Sequence, residues 1–351
     1  QQTFDLVVVL RKQHYMQACV QLTLFAYWGW YWRPVYDSVH LFAAQLLFAY
    51  AFDMLLVWSR RREYTLGFGL FPIVLSANLF LWFKADWFYL QFVMIAVASA
   101  AKELIRWNRD GRSTHIFNPS SFPLAIVSLV LILTGSTNLT WGAEIANTFE
   151  LPPHIRLLIF AVGLPGQILF GVVTMTLSAV ATVVAFGLAY YAVFHTYFFI
   201  DAFIPASVFL GMHLLFTDPS TSPRSELGRM FYGVLYGLGV IVLYAWLEQL
   251  NIPSFYDKLL PVPLMNLSVL AIEAAARSPL LRWFDPAHIG RALTARRRNL
   301  AYIAIYALVF IAQSDPVGAY RPRRWVPFWQ EACSEGSGAT GVLVGVRDEA
   351  G

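Results

Sequence analysis

Two polar stretches interrupt an otherwise apolar chain: HIFNPSSFPLAI at 115–126 and HLLFTDPSTSPRS at 213–225. Asn-Pro-Ser-Ser in the first stretch returns as Asp-Pro-Ser-Thr in the second. A further proline follows at the same spacing in both, and a histidine stands at the start of each. A polar loop that occurs twice indicates an internal repeat.

The composition is that of a membrane protein. Of the 351 residues, 58% are hydrophobic and 13% are charged, and the mean hydropathy is +0.55. Soluble domains carry about 25% charged residues. We therefore predict an all-α polytopic membrane protein. Its net charge of +4 fits basic cytoplasmic loops rather than nucleic-acid binding. Two cysteines provide no disulfide framework and no metal-binding Cys pair.

Apolar segments of about 20 residues cross the hydrocarbon core as helices. The chain offers eleven candidates, and ten spans are equally compatible because any of the short ones could be a re-entrant half-helix. The candidates are 15–32, 38–58, 65–83, 87–101, 122–137, 155–174, 176–199, 202–217, 230–250, 258–276 and 299–313. Four spans between the polar stretches make the repeats parallel, whereas a re-entrant segment makes them inverted.

Arginine and lysine are concentrated in alternate loops. The basic loops contain Arg60–Arg62, 102–112, 224–229 and 277–298, whereas 33–37, 84–86, 138–154 and 251–257 are poor in these residues. The positive-inside rule then predicts a cytoplasmic N-terminus. Residues 1–313 form the predicted transmembrane domain, and 314–351 a polar, Gly-rich, extracytoplasmic C-terminal tail.

The two polar stretches have the chemistry of helix starts. Asn118 and Asp218 are suitable N-cap residues, each followed by proline at the first helical position, and the hydroxyl residues behind them fall in the first turn. Such N-termini attract phosphate. Lys102 and Arg106, at i,i+4 spacing on one helical face, add positive charge. The alternative is a pair of capped helices without a ligand. The predicted binding residues are Lys102, Arg106, His115, Asn118, Ser120, Thr217, Asp218, Ser220, Thr221 and Arg224.

These motifs resemble those of a known family. K-x-x-x-R followed by HIFNPSSF is similar to the F-N-P-A-A-type loop of the NqrB/RnfD family. FTDPSTSP, with Gly228, Tyr232 and Gly233, resembles the T-D-P-x-(T/S)-x-P…G…Y-G signature of the same family. The resemblance covers about residues 40–250 and is that of a divergent RnfD-like branch.

The resemblance implies a bundle related to urea and ammonium channels. It also implies a bacterial inner-membrane location, bound FMN or riboflavin, and electron transfer coupled to Na⁺ or H⁺ movement. In the family, an FMN is attached by a phosphoester to Thr of an S-G-A-T motif. The matching loop, 135–153, lacks that motif, but Ser337-Gly338-Ala339-Thr340 occurs in the tail. Thr340 is therefore the candidate for covalent FMN.

Ionisable groups at membrane depth are costly and often functional. Asp53 and Glu273 are candidates for an ion or proton relay, with buried hydrogen bonds as the alternative. His40, His195 and His213 show no regular pairing, so haem b is not expected.

Nucleotide motifs and cysteine clusters are absent from the sequence. The chain is thus at most one subunit of an ion-translocating oxidoreductase complex, with other membrane subunits and lipids as partners. The alternatives are a channel-like transporter and a non-redox scaffold subunit.

Overall fold

A computed structural model describes residues 5–109, 111–199, 202–286 and 293–313. The predicted tail and Thr340 lie outside these residues. Contacts divide the chain into Gln1–Ala307 and Leu308–Gly351. The first unit holds nearly all of the described fold, and the described part of the second is the end of the last helix.

The fold is mostly helical, and each of the eleven predicted segments contains a helix. The helices are α1 Lys12–Tyr31, α2 Pro34–Asp37, α3 Val39–Trp58, α4 Leu70–Phe80, α5 Tyr89–Leu104, α6 Ser121–Leu133, α7 Gly142–Thr148, α8 Ile155–Phe170, α9 Val173–Phe194, α10 Ala206–Leu214, α11 Glu226–Gln249, α12 Pro261–Ala276 and α13 Ala295–Gln313. Short 3-10 helices cover Ala85–Trp87, Thr137–Leu139, Ser254–Lys258 and Arg282–Phe284.

Two small sheets correct the all-α prediction. Strand β1, Asp5–Val8, pairs in parallel with β2, Glu63–Leu66. Strands β3, Arg106–Arg109, and β4, Arg112–His115, form an antiparallel hairpin. The hairpin forms because Gly111 adopts a left-handed φ of 76° at the turn and polar residues flank it.

Four helices in the described part of the chain are long and apolar enough to cross a membrane. They are Val39–Trp58, Val173–Phe194, Glu226–Gln249 and Ser254–Ala276, the last being a 3-10 turn continued by α12. Helices α4, α6 and α8 are apolar but shorter. These lengths and compositions are compatible with a multi-pass membrane protein.

The connections collect at two ends of the bundle. At the first end, which we call the arginine-rich end, Arg61 pairs with Glu103, Arg109 donates to the Ser222 carbonyl, and the backbone N–H of Arg224 donates to Glu273. At the opposite end, Lys84 lies 3.7 Å from Glu144, and Phe255 packs against Gly142. Successive long helices therefore run in alternate directions, and the cytoplasmic N-terminus stays a prediction.

Helix packing follows a regular pattern. In the first half of the chain, α4 packs on α1 and α3, and α5 packs on α3 and α6. In the second half, α10 packs on α8 and α9, and α11 packs on α9 and α12. The two groups meet where α1 contacts α8 and where α6 contacts α12.

Helix α4 is short and buried, and it ends inside the bundle. The chain continues beyond Phe80 in an extended form, which exposes backbone groups that a membrane interior cannot solvate. Amide side chains satisfy them: Gln91 donates to the Leu81 carbonyl at 3.2 Å and accepts from the Phe83 N–H at 3.2 Å. Asn78 in turn donates to Gln45 at 2.7 Å. This amide network stabilises the interruption.

Helix α10 is the counterpart in the second half. It is only 9 residues long and, except for Leu214, buried. After it ends, the Asn118 side chain donates to the free carbonyl of Leu215 at 2.7 Å, and the Thr217 hydroxyl donates to the His213 carbonyl at 2.7 Å. The first polar stretch therefore supports the interruption of the second short helix.

Candidate functional site

A cavity of about 650 Å³ lies at the arginine-rich end. Its walls come from the first turns of α1, the segment from β2 to α4, the end of α5, helix α8 and both polar stretches. Most of the predicted binding residues line it, namely Lys102, Arg106, His115, Asn118, Ser120, Thr217, Asp218 and Ser220. Thr221 and Arg224 belong to the same loop, but they do not line the cavity.

The first polar stretch folds around the Asn118 side chain. Its Oδ1 accepts from the backbone N–H groups of Ser120 and Ser121 at 3.0 and 3.3 Å, and from the Ser120 hydroxyl at 2.8 Å. Helix α6 starts at Ser121 with Ser120 as its N-cap, so the predicted N-cap role of Asn118 and the predicted first helical position of Pro119 are wrong. Asn118 still accepts from two N–H groups just before and at that start. These two N–H groups are already bonded within the protein, and a phosphate at the cavity would be held mainly by side chains.

The second stretch makes a similar turn but no helix. Asp218 Oδ1 accepts from the Ser220 N–H at 3.0 Å. The predicted helix start behind Pro219 is wrong, because α11 begins only at Glu226. Pro223 lacks an N–H and disfavours helical geometry before it, whereas Ser225 caps α11 by accepting from the Gly228 N–H at 3.1 Å. Ser220 and Thr221 are therefore turn residues.

The two stretches contact each other directly. His115 Nε2 lies 3.2 Å from Asp218 Oδ2. Asn266, on α12, bridges the stretches: its Oδ1 accepts from the Asn118 N–H at 3.0 Å, and its Nδ2 donates to the Thr221 carbonyl at 3.2 Å. Asn266 was not among the predicted residues, although a lone amide in an apolar helix is a usable signal.

The basic residues at the cavity are partly neutralised. Lys102 Nζ lies 3.9 Å from Asp53 Oδ1, and Arg106 lies 3.7 Å from Glu103, which also accepts from Arg61 at 2.5 Å. The prediction that Lys102 and Arg106 share a helical face is wrong. Helix α5 ends at Leu104, and Arg106 already belongs to the β3–β4 hairpin.

The predicted relay residues have well-defined partners. Asp53 is 7% exposed and accepts from the Tyr64 hydroxyl at 3.3 Å beside Lys102. Glu273 accepts from the Ser225 hydroxyl at 3.2 Å and from Arg277 at 2.9 Å, which joins α12 to the start of α11. Both carboxylates thus support neighbouring loops, and an ion-relay role for either stays a prediction.

The pKa of Asp218 lies below its ordinary value of 3.8. Burial alone would raise this pKa. The His115 side chain, the Ser220 N–H and the Thr221 hydroxyl outweigh burial because each stabilises the ionised carboxylate. Asp218 therefore brings a negative charge to the cavity wall at neutral pH.

Helix α8 contributes a cavity wall that the sequence analysis did not anticipate. Gly163, Gly166, Gln167 and Phe170 all line the cavity. Their three- and four-residue spacing puts them on one helical face. Gln167 is 2% exposed, and neither its Oε1 nor its Nε2 has a hydrogen-bond partner. In the sequence, the only indication of Gln167 was a lone amide between glycines in an apolar segment.

The three histidines considered as haem ligands lie apart. His213 is buried at the cavity, where its Nδ1 lies 2.7 Å from the Phe209 carbonyl and its Nε2 lies 2.5 Å from the Tyr306 hydroxyl. His40, near the start of α3, and His195, after α9, are exposed and belong to the opposite end.

Comparisons with protein-family models, with curated proteins and with solved structures found no match.

Proposed function

We propose that this chain is a membrane subunit of a flavin-dependent electron-transfer complex, with FMN or riboflavin bound in the cavity at the arginine-rich end. In this proposal, electron transfer is coupled to Na⁺ or H⁺ movement across the membrane. The observation that carries it is the convergence of both family-like motifs on one cavity, although the sequence separates them widely.

The size and the lining of the cavity support a flavin as its ligand. Its volume of about 650 Å³ lies within the range of about 300–1,000 Å³ that is usual for small-molecule sites. Lys102 and Arg106 bring positive charge suited to a phosphate, whereas α8 offers glycines and Phe170 suited to a flat ring. A polar rim and a smoother wall together fit a ligand with a charged end and an aromatic end.

The packing pattern supports an inverted repeat as the architecture. Helices α1, α3, α4, α5 and α6 correspond in order to α8, α9, α10, α11 and α12. The contacts of α4 with α1 and α3, and of α5 with α3 and α6, recur between their counterparts. Each helix runs opposite to its counterpart. The two polar stretches do not correspond in this alignment, because the first precedes α6 and the second follows α10. Their likeness is then a shared turn chemistry at one end of the bundle.

A channel-like transporter is the second candidate. The observation that favours it is the pair of buried short helices, α4 and α10, because interrupted helices in inverted repeats commonly form substrate sites. The non-redox scaffold is the remaining alternative, and both predict a chain without flavin.

The visible spectrum of the purified chain, before and after addition of FMN or riboflavin, tests the proposal. We expect flavin absorption in the blue and saturable binding of added flavin. Lys102→Met should weaken FMN binding about tenfold or more, the effect of losing one charge-assisted contact, and should affect riboflavin less. Lys84→Met, at the opposite end, is the matched control. A colourless chain that binds neither flavin would overturn the proposal.

Partner subunits are implied because the sequence lacks recognisable motifs for further redox centres. An electron path from a soluble donor needs redox centres that this chain does not encode in any recognisable motif, so other membrane subunits must supply them. Thr340 remains the candidate for a second, covalent FMN. An unmodified C-terminal peptide in mass spectrometry of the protein from its native membrane would reject that site.

A further inference from the structure

The side-chain amide of Gln167, at the cavity wall, is buried without hydrogen-bond partners. The side chain is 2% exposed, and both polar atoms of its amide lack a partner. A buried amide without partners costs about 1–3 kcal/mol per group. Other buried amides of this bundle, such as Gln91 and Asn78, are bonded to backbone or side-chain groups. The contrast points to a partner that comes from outside the chain.

The helix around Gln167 is shaped to leave space. Gly166 precedes it on the same face of α8 and has no side chain to fill the cavity beside the amide, whereas an added Cβ at Gly163 would lie 3.2 Å from His213 Cδ2. Phe170 follows on that face, one turn later. An added Cβ at Gly166 would make only ordinary contact, 3.8 Å from Met16 Cε, so packing alone does not require glycine there. The face therefore suits a flat ring lying against the helix.

The cavity also has a charged rim, which differs from the uncharged wall that α8 forms. Lys102, Arg106 and Asp218 at this rim come from α5, the hairpin and the second polar stretch, whereas α8 contributes an uncharged amide. Arg11, Arg61, Glu63 and Glu103 add further charges of both signs to the lining. A ligand that used both regions would carry its charged group toward the rim and a neutral hydrogen-bonding edge toward α8.

We propose that Gln167 recognises the lactam or imide edge of a heteroaromatic ring bound in this cavity. Its Nε2–H would donate to a ring carbonyl, and its Oε1 would accept from the adjacent ring N–H. This inference rests on the proposed function, because it requires a bound ring. It adds the residue that hydrogen-bonds to the ring and the ring edge to which that residue binds.

Titration of the wild-type chain with riboflavin and with N(3)-methylriboflavin tests the inference. Methylation removes the ring N–H and leaves the ring carbonyls in place. We expect the methylated ligand to bind about tenfold or more weakly, as expected when a buried acceptor loses its donor. This comparison needs no variant and is therefore independent of whether a mutant folds.

Gln167→Leu provides the second arm. The variant should lose the discrimination between the two ligands and should bind both weakly. Its ligand-free thermal stability should be unchanged or raised, because leucine leaves no buried polar group unpaired. A purely structural glutamine would lower stability instead. Gln249→Leu, an exposed glutamine at the opposite end, is the matched control for both measurements.

The outcomes separate the two proposals. Equal binding of both ligands to the wild type, together with unchanged binding to Gln167→Leu, would overturn the role of Gln167 and leave the flavin site intact. Binding of neither ligand would overturn the flavin site, and the role of Gln167 with it.

Discussion

At the scale of single residues, the polar stretches owe their shape to two side chains. Asn118 and Asp218 each close a turn by accepting from the N–H two residues later. Each side chain then makes one long-range contact, Asn118 with Leu215 and Asp218 with His115. The local turn and the long-range contact explain why both positions need a short polar side chain.

The carboxylate of Asp218 should contribute a pH-dependent part of the stability. Its pKa is lower in the folded chain than the ordinary value of 3.8. The stabilisation is therefore complete above that value and is lost as the pH falls through the lower folded pKa. Asp218→Asn should reduce the free energy of unfolding at neutral pH by about 1.5–3 kcal/mol, the range for hydrogen bonds to a charged group.

Unfolding in detergent, measured at several pH values, checks this expectation. The wild type and Asp218→Asn should converge in acid, because protonation removes the same charge from the wild type. Asp37→Asn, an exposed aspartate at the opposite end, is the control. A stability difference that stays constant down to acid pH would contradict the role of the charge.

Residue types predicted part of this site. Asn118, Asp218, His115 and Lys102 were identifiable because charged and capping residues are rare in such an apolar chain. Gln167 could be singled out only as a lone amide between glycines, since a single glutamine in an apolar helix gives no indication of whether its amide is bonded. Only the spatial arrangement shows that Gln91 has partners and that Gln167 lacks them.

At the scale of elements, helix α11 passes very close to α9. A Cβ on Gly233 would overlap the backbone carbonyl oxygen of Met175 and would lie 3.1 Å from the Ala179 nitrogen. These two atoms belong to the backbone and cannot move aside independently, and the Ser178 Cβ would lie only 2.9 Å away. Small residues of this kind allow membrane helices to approach closely.

Gly233→Ala should destabilise the fold by about 1–3 kcal/mol, as overpacking does in well-packed cores. Gly166→Ala is the matched control, since its Cβ would make only ordinary contact, and a helical alanine is favoured over glycine by about 0.5–1 kcal/mol. The thermal midpoint in one detergent should therefore fall for the first variant and stay or rise for the second. A fall of equal size in both would contradict this account.

Hydropathy located the helices well but not their internal interruptions. Every predicted span contains a helix because long apolar segments have few alternatives in a membrane. The ends of α4 and α10 were missed, since Leu81-Trp82-Phe83 and Leu215-Phe216 are as apolar as the helices before them. The hairpin at 106–115 was missed because its strands are short and polar, with weak periodicity.

At the scale of the whole molecule, the two ends of the bundle differ in charge. Basic side chains dominate the end that holds the cavity, and the opposite end is rich in tryptophan, including stacked Trp28 and Trp32. The positive-inside rule associates basic loops with the cytoplasm. The charge distribution therefore predicts that the cavity faces the cytoplasm.

Cysteine labelling tests this orientation. In a background without Cys19 and Cys333, Arg112→Cys and Asn138→Cys place exposed thiols at opposite ends. A membrane-impermeant maleimide should label Cys at 138 in right-side-out vesicles and Cys at 112 only in inverted ones. Labelling of both positions from the same side would contradict the alternating course of the helices.

The bond between Asn118 and Leu215 also has a consequence for how the chain is made. Its partners are 97 residues apart, and translation at about 5–20 residues per second separates their appearance by about 5–20 s. During that interval α6 can already be inserted, while the carbonyl that its preceding turn will contact does not yet exist. Biogenesis must therefore leave the Asn118 amide in water or against the insertion machinery until the second half of the protein arrives.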